Sequence, residues 1–202
     1  MCKGEFMRAD ARRNYERLLA CAHQAFTDHG ANASLEDIAK RAELGIGTLY
    51  RHFPNREALL VALLSDRLRG LTTYAEEVLD QQEPGLAAAN WIRALCAHGH
   101  SYRGIAIGVM TQLLGQQTEF DEACAAAHAA GERLLARAQA AGEVRPDVTH
   151  DHLVAMVQGL VLATEHQPDL FEPLLSIMLD GLQRVPSPAA NSPESISRNA
   201  GS

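Results

Sequence analysis

Thr48, Tyr50, Arg51 and His52 put a hydroxyl, a phenol, a guanidinium and an imidazole within five consecutive positions. On a helix turning ~100° per residue, Gly47 and Arg51 share one side. Tyr50 flanks them on one edge, Thr48 and His52 on the other, while Ile46, Leu49 and Phe53 form the opposite, core-seeking face. All four polar groups can donate to phosphate oxygens, and a glycine among them lets another backbone come close. That is the chemistry of gripping a polyanion. A short solvated helix would carry similar residues, so the neighbouring elements must decide.

Those elements are legible. Ser34 is a good helix N-cap with Asp37 three residues on, and Leu35, Ile38, Ala39 and Ala42 follow at helical spacing. Leu44-Gly45 breaks that helix, and Pro54 stops the next one after Phe53. A third helix opens near Arg56. Two short helices across a tight turn outline a helix-turn-helix, whose second helix can lie in a DNA major groove.

The segment from about residue 12 to 64 resembles the DNA-binding domain of the TetR family of bacterial transcriptional regulators. The likeness rests on Ile38-Ala39, Ala42, Gly47-Thr48-Leu49-Tyr50-Arg51-His52-Phe53 and Asn55-Arg56-Glu57-Ala58-Leu59. It implies that Ser34, Thr48, Tyr50, His52 and Arg56 hold the phosphate backbone, with Gly47 and Arg51 nearest the bases. Two positions depart from the pattern. Glu43 stands where relatives often have the turn glycine and so has to adopt a left-handed conformation. Ile46 replaces a frequent polar base reader.

Composition sets further bounds. The chain has 202 residues, 47% of them hydrophobic, enough for a proper core. Abundant Ala, Leu, Glu, Gln and Arg without alternating strand patterns predict an all-α protein. The net charge of −7 disfavours DNA until its distribution is considered. Residues 1–56 carry nine Lys/Arg against seven Asp/Glu, whereas the rest carries nine against eighteen. The basic excess therefore coincides with the motif, and it is small enough to favour a dimer presenting two patches. Cys2, Cys21, Cys96 and Cys124 form no CxxC pair and read as free thiols of a reducing cytoplasm. The N-terminal residues lack the apolar core of a signal peptide, and the apolar run 153–163 is too short for a bilayer. A cytoplasmic protein without a membrane partner is expected.

The organisation expected is a loose arm over 1–9, a three-helix DNA-binding domain over 10–56 and a linking helix over 57–82. A helical effector-binding and dimerisation domain follows over 83–185, then a disordered tail over 186–202. Helices are expected near 11–29, 55–81, 86–101, 103–115, 118–141, 149–166 and 169–184. Ala155, Gly159 and Ala163 recur every four residues as a smooth ridge, and the final helix is apolar around much of its girth. The ridge, with Leu174, Ile177 and Met178, is the expected dimer interface; the resemblance implies pairing of the last two helices into a four-helix bundle.

A small-molecule pocket is expected among the middle helices, lined by Trp91, Leu95, Met110, Leu113, Phe120, Cys124 and His128, although an Ala-rich core would contain the same residues. Cys124 and His128, four apart, have ligand spacing, but capping or surface histidines are the simpler reading and no metal or other cofactor is expected. No nucleophile elbow or HExxH motif occurs, and Gly45-x-Gly47 lacks a third glycine, so no enzyme is expected. The expected function is a homodimeric repressor that binds a pseudo-palindromic double-stranded DNA operator and is released by a small molecule. Control by a metal ion or partner protein is one alternative; a helical interaction module without DNA binding is another.

Overall fold

The computed structural model describes residues 3–30, 33–100 and 118–183. Among these residues the chain is all-α. In order come α1 (Lys3–His29), α2 (Leu35–Arg41), α3 (Ile46–His52), α4 (Arg56–Gln81), α5 (Pro84–His100), α6 (Thr118–Ala140), α7 (His150–Ala163) and α8 (Phe171–Leu182). A 3-10 turn, Pro168–Leu170, leads into α8. The expected helix over 103–115 and the tail over 186–202 lie outside the described residues, as does Cys2.

The expected arm over 1–9 is replaced by helix from Lys3 onward. No proline interrupts Lys3 to Ala11, so nothing in the backbone chemistry stops the helix from extending back to Lys3.

Local chemistry accounts for the short helices. The Ser34 hydroxyl accepts the Asp37 N–H at 3.2 Å, capping α2. α2 ends in paired bonds, Glu43 N–H to the Lys40 carbonyl at 3.0 Å and Leu44 N–H to the Ala39 carbonyl at 2.9 Å. This closure needs a left-handed residue at its outer position. Glu43 fills it with φ 55°, as its place in the sequence demands. Asn55 caps α4 through the Ala58 N–H at 2.7 Å. Thr149 caps α7, exchanging bonds with His152 in both directions at 3.2 Å.

Two hydrophobic clusters fill the interior. The first joins Leu18, Ala22 and Phe26 of α1, Ile38 of α2, Leu49 of α3 and Leu59 to Leu71 of α4, and it also takes in Phe120, Ala123 and Ala127 of α6. The second gathers Ala75 and Val78 of α4, Trp91 and Ile92 of α5, Ala130 to Ala138 of α6, Leu153, Val157 and Leu160 of α7, and Leu175 and Leu182 of α8. α4 and α6 thus each belong to both cores. Ion pairs between Arg69 and Glu119 (3.0 Å) and between Arg133 and Glu76 (3.6 Å) line the same contact. The core of the DNA-binding unit consequently reaches past residue 56, to Leu71, and borrows its closing wedge from α6.

Cys21, Cys96 and Cys124 are free thiols. Burial pushes the Cys96 thiol up to about 11, which keeps it protonated and inert.

The left-handed Glu43 supplies a stability test. A non-glycine residue there costs ~1–2 kcal/mol, while glycine loosens the unfolded chain by ~0.4–1 kcal/mol. The Arg17–Glu43 ion pair (2.7 Å) is exposed and adds little. Glu43→Gly is expected to raise the melting temperature by about 1–4 °C in a thermal melt; a lower melting point would mean that the Arg17 contact outweighs the backbone strain.

Candidate nucleic-acid interface

α3 opens at Gly45 with extended backbone (φ −73°, ψ 146°) and no side-chain cap. Leu49 and Phe53 are 0% and 2% exposed and anchor the helix on α1, α2 and α4. Tyr50 is 46% exposed, and Gly47 and Arg51 also lie on the outer face. No atom stands within 4 Å of where a Cβ on Gly47 would lie. No described residue uses the open space beside Gly47, and a foreign backbone can occupy it.

Two placements differ from the expected face. Ile46, assigned to the core side, is 36% exposed. It is the first residue of α3, and only the second turn, through Leu49 and Phe53, reaches the cluster. His52 is half-buried, its ring set edge-on to Tyr15 of α1 at 6.1 Å. Tyr15 also packs on Phe53 at 5.1 Å, so one α1 aromatic orients the C-terminal end of the reading helix. Nothing local in the sequence links positions 37 apart, so spacing alone could not pair Tyr15 with His52. Burial first, then the Glu119 carboxylate, pushes the Tyr15 phenol up and keeps it neutral.

Arg56 opens α4 with its guanidinium 5.8 Å from the Phe26 ring centroid, and it is half-buried. Removing it would disturb packing as well as charge. Ser34 is occupied at both hydroxyl functions, as the α2 cap and as donor to the Glu36 carboxylate at 3.3 Å. Thr48 is half-buried beside this row. Ser34, Thr48, Tyr50, His52 and Arg56 are thus contributed by three short stretches of the first cluster, around the exposed Gly47–Arg51 strip.

At the opposite end of the chain, Ala155, Gly159 and Ala163 are all exposed on α7, and a Cβ on Gly159 would meet nothing within 4 Å. Ile177 is 67% and Leu174 38% exposed on α8. Met178, grouped with them from sequence, instead packs half-buried against the second cluster.

Among the described residues, the expected pocket positions are divided between the two clusters. Trp91 lies in the second cluster and Phe120 in the first, both buried; Leu95 touches both, and Cys124 packs on the first. Met110 and Leu113 lie outside the described residues. Large side chains that could line a void are used here to fill core. A cleft of about 540 Å³ opens elsewhere, between α1 and α4, against Tyr15, His23, Leu63, Asp66, Arg67 and Arg69.

Cys124 and His128 also part company. His128 turns toward the start of α7, where its Nδ1 is 3.0 Å from Nδ1 of His150 and 3.9 Å from the Asp151 carboxylate. Its Nε2 is 3.3 Å from Glu132. Burial, with His128 adding to it, lowers the His150 pKa and keeps that ring neutral. The Nε2 of His150 and the indole Nε1 of Trp91 are buried without a hydrogen-bond partner.

Comparison with known proteins places both ends of this architecture. Residues 18–63 match the family model described as bacterial regulatory proteins, tetR family. Residues 83–184 match the model for the SbtR-like transcriptional regulator C-terminal domain. A TetR transcriptional regulator from Streptomyces coelicolor superposes with a TM-score of 0.71 at 30% identity, covering 85% of this chain and 99% of that one. A TetR regulatory protein from Mycobacterium vanbaalenii gives 0.67 at 34% identity, covering 88% and 99%. An HTH-type regulator from Staphylococcus aureus is 36% identical over 75 residues, which are 37% of this chain and 40% of that relative.

The empty space at Gly47 separates folding from binding. Gly47→Leu should leave the melting temperature unchanged or raise it, since leucine is up to ~0.8 kcal/mol better than glycine in a helix. The same side chain would intrude where a nucleic-acid backbone has to lie, weakening DNA binding by about 1–3 kcal/mol. Arg51→Ala should lower the slope of log affinity against log salt by roughly one unit for a lost phosphate contact. Unchanged DNA affinity in both variants, measured across a salt titration, would remove this face from the interface.

Proposed function

The chain belongs to the TetR family of bacterial regulatory proteins, and from that premise we propose that it is a cytoplasmic repressor. It would bind a pseudo-palindromic DNA operator as a homodimer and let go when a small molecule enters its C-terminal domain. The observation that carries this reading is the solvent-open strip of α3 from Gly47 to Arg51, flanked by Tyr50. A single strip of about two turns, on a chain of net negative charge, binds weakly alone. Two strips held one DNA turn apart, about 34–36 Å, reinforce each other.

The α7–α8 surface supports that doubling. Its small-residue ridge and the exposed Leu162, Leu174 and Ile177 leave apolar area that no other described element covers. Pairing through two helices per chain would bury it in a four-helix bundle. Coupling runs along α4 and α6, since both belong to the two clusters. A ligand that changes how α5 and α6 pack can tilt α4, and with it α3, provided it binds the two arrangements with different affinity.

Gly159→Leu tests the assembly. One chain has room for the new side chain, so monomer stability should hold, while a symmetric interface would feel the intrusion twice at about 1–3 kcal/mol each. The expected result is a dimer-to-monomer shift in sedimentation together with loss of operator affinity. Retention of a full-affinity dimer would put the ridge outside the interface. For the regulatory role, the wild-type chain should select dyad-symmetric fragments from genomic DNA and release them to a compound that also raises its melting temperature. Selection of no such fragment would overturn the proposed function.

A further inference from the structure

The cluster where α6 meets α7 has no part in reading DNA, yet its side chains are arranged as ligands. We infer that His128, His150 and Asp151 form a binding site for one divalent transition-metal ion of the zinc, nickel or cobalt kind. One ligand atom from each of the three lies within 4.8 Å of the others. This inference is independent of the regulatory reading above.

Four features support it. First, a carboxylate stands behind His128. Glu132 lies 3.3 Å from its Nε2, which favours the tautomer with the proton on Nε2 and leaves Nδ1, the atom nearest His150, with its lone pair. A carboxylate behind a metal-binding imidazole does this work in known sites. Second, the spacing fits. Two nitrogens each ~2.1 Å from one ion in tetrahedral geometry lie ~3.4 Å apart, against 3.0 Å between the two Nδ1 atoms. Asp151 stands 3.9 Å from His128 Nδ1 on a side chain 84% exposed, free to close the remaining gap.

Third, His150 is held. It is 5% exposed, with its ring 5.3 Å from that of Trp91. Gly131 packs on its other edge, where any Cβ would collide with His150 Nε2 and the Trp91 ring. The Thr149–His152 capping exchange fixes His150 and Asp151 at the first two positions of α7. Fourth, ions can reach the cluster. The His128 side chain is 43% and that of Asp151 84% exposed, so a fourth coordination position opens to water. Two imidazoles and one carboxylate select borderline ions over magnesium or calcium, which prefer all-oxygen shells.

Without an ion, and with the His128 proton on Nε2, the 3.0 Å approach is an N–H···N bond in which His150 donates to His128. Ion binding moves that proton to His150 Nε2, the buried atom that lacks a partner beside Trp91. Filling the site would pin the start of α7, the helix carrying the small-residue ridge, to α6.

The test uses the untagged full-length chain, stripped of metal and titrated with Co²⁺ and then Zn²⁺. The expected result is one ion per chain, visible Co²⁺ ligand-field bands, and quenching of Trp91, the chain's one tryptophan. Zn²⁺ at a hundredfold over its dissociation constant should raise the melting temperature by roughly 5–10 °C, and millimolar Mg²⁺ should not compete. His128→Gln and Asp151→Asn alter exposed side chains; the first should abolish the Co²⁺ bands and Trp91 quenching, the second weaken binding at least tenfold. Glu132→Gln should cost 10- to 100-fold in affinity. Absence of saturable binding would overturn the site, as would binding that survives both His128→Gln and Asp151→Asn. In either case the His128–His150 contact is a hydrogen bond and nothing more.

Discussion

The packing of α4 along α6 is the contact on which the remainder of the molecule depends. α4 places Leu59, Leu63, Leu64 and Leu71 in the first cluster and Ala75 and Val78 in the second. α6 runs beside it with Phe120, Ala123 and Ala127 in the first and Ala130, Leu134 and Ala138 in the second. The pairing alternates bulk and smallness. Leucines of α4 meet an alanine-rich face of α6, so the two helices approach closely over several turns. Without Phe120, the three N-terminal helices would lack the wedge that completes their core. A buried phenylalanine truncated to alanine typically costs about 3–5 kcal/mol, and here the loss would fall on the elements that hold α3.

That shared packing also divides the molecule's surface. Inward positions are spent on the two clusters, which leaves three kinds of outward feature. The α3 strip is polar and small, suited to a phosphate backbone. The α7–α8 face is apolar and smooth, suited to a helix of another copy. The α6–α7 corner is a pair of imidazoles with carboxylates around them. Each arises where a helix has finished contributing to the core. Gly47 and Gly159 are exposed with nothing near them. Gly131 is the opposite case, its missing side chain filled by His150 and Trp91.

The two clusters bear on how a signal could cross the chain. The Trp91 indole is itself part of the second cluster, at 2% exposure. Packed interiors respond to intrusion by switching arrangement more readily than by deforming gradually. A rigid α4, capped by Asn55 next to α3 and ending at Gln81 inside the second unit, is the element that would carry such a switch.

The helix-turn-helix was legible in the linear sequence because its determinants are local. Ser34 caps, Gly45 breaks, Pro54 stops, and Leu35, Ile38, Leu49 and Phe53 keep helical period. Even the left-handed residue could be assigned, since the closure of α2 needs one and Glu43 occupies the place. Among the described residues, the helices after α3 were likewise readable to within a few residues of their ends, because Gly and Pro punctuate them, whereas α1 begins at Lys3 instead of near residue 11. What the sequence could not decide was which separated residues meet. Phe120 and Trp91 look alike as pocket walls, but one closes the first core and the other fills the second. His52 reads as an exposed donor until Tyr15, 37 positions earlier, is found against it. Cys124 and His128 share a helical face at ligand spacing, yet His128 turns to His150, 22 residues on. Periodicity states which side of a helix seeks cover; only the tertiary packing supplies the neighbour, because burial is non-directional and any apolar face satisfies it.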